Sequence, residues 1–148
     1  MINSDYYFQQ AETSDLISIK NLLQKLDLVH QEIEKYIEDF IVLKTGNKLI
    51  GCAGLEIYDE IGLLRSVAID RDFQGKGLGK KLVKEILKYA DKKEIVDLYL
   101  LTNSAEKFFE KHGFNIVSRT DVDPQIKQTY EYTTGCEETA SVMIRKKK

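Results

Sequence analysis

The chain has 148 residues, of which 43% are hydrophobic and 31% charged, and a formal net charge of −2; we expect one compact domain over residues 1–148. A net charge near zero argues against a nucleic-acid-binding or membrane-surface protein, since neither partner would meet a global positive field. No apolar run approaches the ~20 residues of a membrane span and no signal peptide is visible, so we expect a cytoplasmic protein without a membrane partner.

The first part of the chain predicts one strand and two helices. The stretch Tyr6–Gln10 is typical of a strand, and Thr13 or Ser14 can cap the helix that follows. That helix carries apolar residues at helical spacing, namely Leu16, Ile19, Leu22, Leu23 and Leu26. The same spacing recurs from Ile33 to Phe40 and predicts a second helix over that range.

The middle of the chain changes to a pattern typical of strands. Three strands are predicted, over residues 40–43, 49–58 and 61–69. The turn at Gly46-Asn47 has the chemistry of a β-hairpin, and the connection after it is equally short. Because such short connections cannot cross over a sheet, we expect the three strands to be antiparallel neighbours.

The rest of the chain alternates between helices and strands. It predicts a long amphipathic helix from Gly77 to Lys93, a buried strand over 95–101 and a short helix over 104–112. Residues 115–119 and 141–145 predict closing strands, separated by what reads as a long loop. The predicted order is βααβββαβαββ, an α/β fold with a mixed sheet and helices on both faces.

Three glycines in five residues, Gly75, Gly77 and Gly79, lie where the third of those strands leads into the long helix. Glycines let a backbone approach a phosphate closely, and a helix N-terminus adds free N–H donors and partial positive charge. Lys76 and Lys80 add positive charge nearby. A dinucleotide fingerprint or a P-loop starting at Gly75 would need glycine at position 80, so the pattern fits neither. A turn that only joins strand to helix remains the alternative, although glycines at a helix start are destabilising.

The stretch Gln74-Gly75-Lys76-Gly77-Leu78-Gly79 is similar to the Q/R-x-x-G-x-G/A signature of the GNAT acetyltransferases. Residues 98–114 resemble the second CoA-contacting segment of that superfamily, and the resemblance covers nearly the whole chain. It implies a GNAT-like fold and acetyl-CoA as co-substrate. The cofactor-binding residues that it implies are Val67, Ala68 and Ile69 along the strand, Gln74, Gly75, Lys76, Gly77, Leu78, Gly79 and Lys80 in the turn, and Asn103 and Phe109.

A finer likeness is to the GNAT branch associated with arsenic-resistance gene clusters. The segments that carry it are Gly54-Leu55-Glu56, Leu63-Leu64-Arg65-Ser66, Leu100-Leu101-Thr102, Gly135-Cys136 and residues 141–143. This likeness does not fix a substrate. GNAT domains of this size often pair, so the resemblance also implies a homodimer, for which the exposed edges of a mixed sheet offer a surface.

The resemblance implies acetyl transfer from acetyl-CoA to the amine of a small or amino-acid-like acceptor by direct attack, without an acyl-enzyme. Backbone N–H groups near Val67 would polarise the thioester carbonyl. Many relatives carry a tyrosine at the position of Phe109, and its hydroxyl protonates the leaving sulfur. Phenylalanine cannot do so, hence water or another residue supplies the proton, or turnover is weak. This departure keeps open a second hypothesis, a CoA-binding sensor or interaction domain that has lost catalysis.

A general base for the acceptor amine is sought among the polar residues of the predicted strands. Glu56 stands among apolar neighbours, beside the strand that carries Arg65 and Ser66, and such surroundings raise a carboxyl pKa towards neutrality. We therefore name Glu56, Arg65 and Ser66 as candidate catalytic residues. The alternative, that Glu56 lies on the solvent face or pairs structurally with Arg65, stays open.

Other reactive side chains favour structural interpretations. A nucleophilic Cys136 would need a histidine that the sequence does not assign to it, and a buried structural cysteine is the simpler interpretation. His112 suits the C-terminus of its helix electrostatically. The stretch 130–132, Tyr-Glu-Tyr, either lines the acceptor pocket or lies at a strand edge. Two cysteines and two histidines at these spacings predict no metal site.

Overall fold

The structure, a computed structural model, describes residues 5–136 and 138–147 and contains one seven-stranded mixed sheet. The strands are β1 (Tyr6–Gln10), β2 (Phe40–Thr45), β3 (Lys48–Tyr58), β4 (Ile61–Ile69), β5 (Asp97–Thr102), β6 (Asn115–Val117) and β7 (Ser141–Lys146). The helices are α1 (Leu16–Lys25), α2 (Ile33–Tyr36), α3 (Leu78–Lys92), α4 (Glu106–Glu110), α5 (Pro124–Lys127) and a π-helical turn (Glu131–Gly135). Short 3₁₀ turns occupy Thr13–Asp15, Ile37–Asp39, Arg71–Phe73 and Arg119–Asp121.

The strands lie in the order β1-β2-β3-β4-β5-β7-β6. Every neighbouring pair is antiparallel except β4 and β5, which are parallel and joined by the crossover through α3. The predicted α/β fold with a mixed sheet is confirmed, as are the antiparallel hairpins of β2, β3 and β4. The last strand, β7, inserts between β5 and β6, so the two closing strands form an antiparallel pair at the sheet edge.

Apolar side chains divide between the two faces of the sheet. The apolar stripe of α3 packs on one face and consists of Leu78, Leu82, Val83, Ile86, Leu87 and Ala90, all buried. Residues of α1 and α2, among them Ile19, Leu23 and Ile33, cover the other face near β2 and β3. The 3.6-residue spacing that predicted these helices is therefore the spacing of their buried faces. Among the described residues, no helix is long and apolar enough to span a membrane.

Two predicted segments differ from the structure. The second helix does not run to Phe40, because α2 ends at Tyr36, a 3₁₀ turn follows, and Phe40 opens β2 as a fully buried residue paired with Gly54. The predicted long loop before β7 is also wrong in part, since it contains α5 and the π-helical turn. The N-terminus of α5 is stabilised by Pro124 at its first turn and by the Asp123 carboxylate, which accepts from the Gln125 N–H at 2.8 Å.

A β-bulge interrupts the pairing of β3 with β4. Cys52 lies opposite Ala68 and Gly54 opposite Arg65, so β4 has one residue more than β3 between these pairs. Ser66, in the bulge, has φ of +60°, in the left-handed region that few non-glycine residues adopt. The extra residue reverses which face the following side chains occupy. Arg65 and Ala68 therefore lie on the same side of the sheet, although three positions separate them.

Candidate active site

The two parallel strands of the sheet separate part of the way along their length. β4 and β5 pair only from Ile61 to Leu63, although β4 continues to Ile69 and β5 to Thr102. Beyond Leu63 the strands diverge and leave a cleft of about 340 Å³, here called the β4–β5 cleft. Among the described residues, no strand pairs with this stretch of β4 on the cleft side, so the backbone groups that it turns towards the cleft have no strand partner there.

Five parts of the chain line the β4–β5 cleft. Residues 64–67 of β4 form one wall, and residues 100–105 at the end of β5 form the opposite wall. Phe109 of α4 closes one end, while the loop after α1 and the π-helical turn close the other through residues 27–29 and Glu131, Gly135 and Cys136. A shallower groove of about 350 Å³ adjoins the cleft and shares Asp27, Leu28, Val29 and Gly135 with it.

The glycine turn lies between the end of β4 and the N-terminus of α3. The Gln74 side-chain amide donates to the Ile69 carbonyl at 2.8 Å and ties the turn to the strand. Gly75 and Gly77 have φ of +80° and +79°, and no described atom lies within 4 Å of a Cβ built on either. Gly77 caps α3, so the free N–H groups of that helix begin beside open space. This is the geometry of an anion-binding helix N-terminus.

The other candidate cofactor residues divide between exposed and buried positions. Lys76 and Lys80 are exposed beside the turn, Gly79 is half-buried, and the Leu78 side chain packs in the core. On β4, Val67 lines the β4–β5 cleft, whereas the side chains of Ala68 and Ile69 are buried on opposite faces. The backbone role expected for these residues stays a prediction.

A buried polar cluster lies behind the β4 wall of the cleft. The Arg65 guanidinium donates to Glu56 Oε2 at 2.7 Å, to the Gln31 carbonyl at 2.7 Å and to Ser66 Oγ at 3.1 Å. The Tyr58 hydroxyl donates to Glu56 Oε1 at 2.5 Å, and its pKa is raised by burial and by that hydrogen bond. The bond to Gln31 also fastens the loop between α1 and α2 to β4.

Glu56, Arg65 and Ser66 lie together, as the sequence predicted, but Glu56 does not face the cleft as a catalytic base would. Both oxygens of the Glu56 carboxylate are engaged, its side chain is 1% exposed, and it is not among the residues that line the cleft. The structure therefore favours the alternative that Glu56 pairs structurally with Arg65. Ser66 does line the cleft, and its hydroxyl accepts from Arg65.

A different carboxylate, Glu131, lies in the cleft. It is 6% exposed, and burial raises its pKa to about 7, an effect that Glu56 reinforces and Arg65 opposes. The stretch 130–132 was predicted either to line the acceptor pocket or to lie at a strand edge. Glu131 lies in the π-helical turn and lines the β4–β5 cleft, and an acceptor pocket there stays a prediction. Nothing in the sequence distinguishes this residue from other glutamates, because its place depends on the π-helical turn.

Aromatic packing holds Phe109 at the end of the cleft. Its ring meets those of Phe108 and Phe114 edge to face, at centroid distances of 5.1 and 5.8 Å, and is 8% exposed. The neighbouring Thr102 hydroxyl accepts from the Ala105 N–H at 3.0 Å and shapes the start of α4, while Asn103 lines the cleft and is exposed.

The two cysteines and His112 lie in different surroundings. Cys52 is buried, its Sγ donates to the Ser66 carbonyl at 3.2 Å, and burial raises the pKa of its thiol to about 12. Cys136 is half-buried and lines the cleft. His112 lies against the Phe108 ring, and its pKa is lowered by burial and by nearby lysines. Within residues 5–136 and 138–147, no three His, Cys, Asp or Glu side chains group as metal ligands would.

Known proteins are similar to this chain in sequence and in fold. A family model of the acetyltransferase (GNAT) domain matches residues 37–116, more than half of the chain. An amino-acid acetyltransferase of Mycobacterium tuberculosis is 29% identical over 128 residues, which are 80% of this chain and 73% of that protein. An amino-acid acetyltransferase of Shewanella oneidensis is 30% identical over 134 residues, 84% of this chain but 30% of that protein.

Solved structures agree. The N-acetylglutamate synthase of Neisseria gonorrhoeae, crystallised with coenzyme A and N-acetyl-glutamate, superposes with a TM-score of 0.84 at 22% identity, covering 98% of this chain and 36% of that one. The chain thus spans about a third of the length of the Shewanella and Neisseria proteins. It belongs to the acetyltransferase (GNAT) family. As a member, it is an acetyl-CoA-dependent N-acetyltransferase, with acetyl-CoA as its co-substrate.

Proposed function

We propose that this domain transfers the acetyl group of acetyl-CoA to the amine of a small, amino-acid-like acceptor by direct attack. The observation that carries the proposal is the β4–β5 cleft, which begins where the only parallel pair of the described sheet separates. The same strand, β4, leads from the cleft to the glycine turn. One bound molecule can then place its phosphates at the turn and its thioester between the strands.

In this proposal the cofactor residues act mainly through their backbone. The pantetheine arm pairs with Val67, Ala68 and Ile69, and the pyrophosphate occupies the helix N-terminus at Gly75 and Gly77. The bulge at Ser66 lies in the wall of the cleft, where backbone N–H groups near Val67 can polarise the thioester carbonyl. The remaining cofactor residues proposed here are Gln74, Lys76, Leu78, Gly79, Lys80, Asn103 and Phe109.

The acceptor class rests on the relatives. Those that match most of this chain are amino-acid acetyltransferases, which supports an amino acid or a similar amine. The groove that adjoins the β4–β5 cleft gives such a molecule a way to reach the thioester while CoA occupies the glycine turn. Residues shared with the arsenic-resistance branch lie on both cleft walls, Arg65-Ser66 and Leu100-Leu101-Thr102, and that likeness stays a prediction.

A turnover assay tests the proposed function. Free CoA is measured with acetyl-CoA and a panel that pairs amino acids, including glutamate and glutamine, with the amines that lack their α-carboxylates. We expect CoA release with at least one amino acid and slower release with its decarboxylated partner. Tight acetyl-CoA binding without CoA release on any amine would instead favour a CoA-binding sensor domain.

Phe109→Tyr tests which proton transfer limits turnover. We expect kcat to change little or to rise modestly, since thiols have pKa values near ~8.5 and CoA thiolate can be protonated by solvent. Phe108→Tyr adds the same hydroxyl to the adjacent ring, which is not among the residues that line the cleft, and is the control. Strong acceleration by Phe109→Tyr alone would show that protonation of the leaving thiolate is limiting.

A homodimer is the expected assembly. The edge strand β6 carries Ile116, whose side chain is 59% exposed, and edge strands with apolar residues favour pairing. Light scattering at tens of micromolar should give a dimeric mass, which Ile116→Lys lowers. Ile17→Lys alters an equally apolar, 73% exposed residue on α1 and should leave the mass unchanged. A monomeric mass for the wild type would contradict this expectation.

A further inference from the structure

The last third of the chain contributes one carboxylate to the β4–β5 cleft. Glu131 opens the π-helical turn, in which the Cys136 N–H donates to the Glu131 carbonyl at 2.9 Å. Such turns are rare and are found often at functional sites. Gly135 packs so closely on the loop after α1 that a Cβ there would lie 3.1 Å from the Val29 side chain. The turn therefore forms a fixed wall of the cleft.

Charged groups around Glu131 come from several elements. Arg65 of β4 lowers the pKa of Glu131, and Glu56 of β3 raises it. Asp27, exposed in the loop after α1, lines the same cleft. Arg119 is engaged elsewhere, since it lies 5.2 Å from the Tyr132 ring and donates to the Ala140 carbonyl at 2.7 Å. Burial has the largest effect on the pKa of Glu131 and raises it, because it favours the neutral carboxylic acid.

The two glutamates near Arg65 differ in what they can do with a proton. Glu56 gives one oxygen to Arg65 and the other to the Tyr58 hydroxyl, so neither is open to a substrate. Within residues 5–136 and 138–147, no group donates a hydrogen bond to the Glu131 carboxylate or forms an ion pair with it. Glu131 also shares the cleft with Ser66 and Val67, where the thioester is proposed to lie.

We propose that Glu131 is the general base that deprotonates the acceptor amine. The assignment rests on the proposed function and names the residue that serves it. The Glu131 carboxylate takes one proton from the acceptor ammonium, and the nitrogen lone pair attacks the thioester carbonyl carbon. The carbon–sulfur bond then breaks, and CoA leaves as a thiolate that solvent protonates. The nitrogen, now bonded to the acetyl carbon, gives its second proton to solvent to leave a neutral amide, and Glu131 returns its proton to solvent.

The pH dependence of kcat/KM tests this role. Because the pKa of Glu131 is raised to about 7, the group is protonated and inactive as a base below that pH and ionised above it. The wild-type rate should rise up to about pH 7 and then level off. In Glu131→Gln the rate at neutral pH should fall about 10²-fold. It should then keep rising with pH, because only amine already deprotonated, with a pKa near ~10.4, can react.

The controls separate the possible outcomes. Glu60→Gln makes the same change at an exposed carboxylate in the turn between β3 and β4, which does not line the cleft or the adjoining groove. It should keep the wild-type profile, and acetyl-CoA affinity should persist in both variants. An unchanged profile in Glu131→Gln, or its loss in Glu60→Gln alone, would overturn the assignment. If Glu131→Gln does not fold, carbon-13 NMR of the glutamate carboxyls in the wild type is the substitute experiment. The assignment would be overturned if none of these carboxyls titrates above pH ~6. Absence of CoA release by the wild type would instead sink the proposed function.

Discussion

Gly77→Asp should abolish acetyl-CoA binding in calorimetry. The substitution adds a side chain and a negative charge where the free N–H groups of α3 begin, in space that no described atom occupies. The carboxylate would itself accept from those N–H groups and repel the pyrophosphate. The loss should exceed that from any other single change in the turn, because sterics and charge act together.

Gly46→Asp is the matched control for this experiment. Gly46 has φ of +58°, and no described atom lies within 4 Å of a Cβ built on it, so the backbone strain is comparable. It lies in the hairpin between β2 and β3, and acetyl-CoA affinity should therefore match the wild type. Equal affinity for the wild type and Gly77→Asp would mean that the phosphates bind elsewhere.

Arg65→Met should lower the free energy of unfolding by about 3–5 kcal/mol, measured by urea denaturation. The side chains of Arg65 and Glu56 are 0% and 1% exposed, and removal of the guanidinium leaves a buried carboxylate without its counter-charge. The Gln31 carbonyl loses its donor as well, which frees the loop between α1 and α2. Glu56→Gln should also destabilise the protein, since it leaves the Arg65 charge buried without its partner.

Two further variants test that explanation. Arg65→Met combined with Glu56→Leu removes both charges and should recover most of the loss, as replacement of a buried pair by apolar residues often does. Lys20→Met breaks the exposed ion pair with Glu34, at 2.6 Å, and should change stability by less than about 1 kcal/mol. If the double variant is no more stable than Arg65→Met, the uncompensated charge is not the cause.

Much of this fold was predictable because its signals are local. The apolar stripe of α3, the strands on either side of Gly46-Asn47 and the glycine turn all depend on residues close in sequence. The likeness to acetyltransferases rested on the same turn and on residues 98–114, which are also local signals. Grouping Glu56 with Arg65 and Ser66 was also predictable, since they lie on neighbouring strands of a hairpin.

The rest of the site depends on contacts distant in sequence. The bulge at Ser66 carries no glycine to mark its positive φ, so the change of face along β4 was not visible. The opening between β4 and β5 depends on where a parallel ladder stops. Glu131 is brought to the cleft by a π-helical turn, for which the sequence gives no known pattern. The base was therefore first sought at Glu56.

A single-turnover experiment with acetyl-CoA that carries carbon-13 in its acetyl group tests the central claim most directly. Mass spectrometry follows both the acceptor amine and the intact protein over the course of the reaction. Direct attack in the β4–β5 cleft predicts the heavy acetyl group on the amine, in amounts equal to the free CoA, with the protein mass unchanged throughout. Heavy acetyl on the protein before it appears on the amine, or free CoA without acetylated amine, would contradict the account.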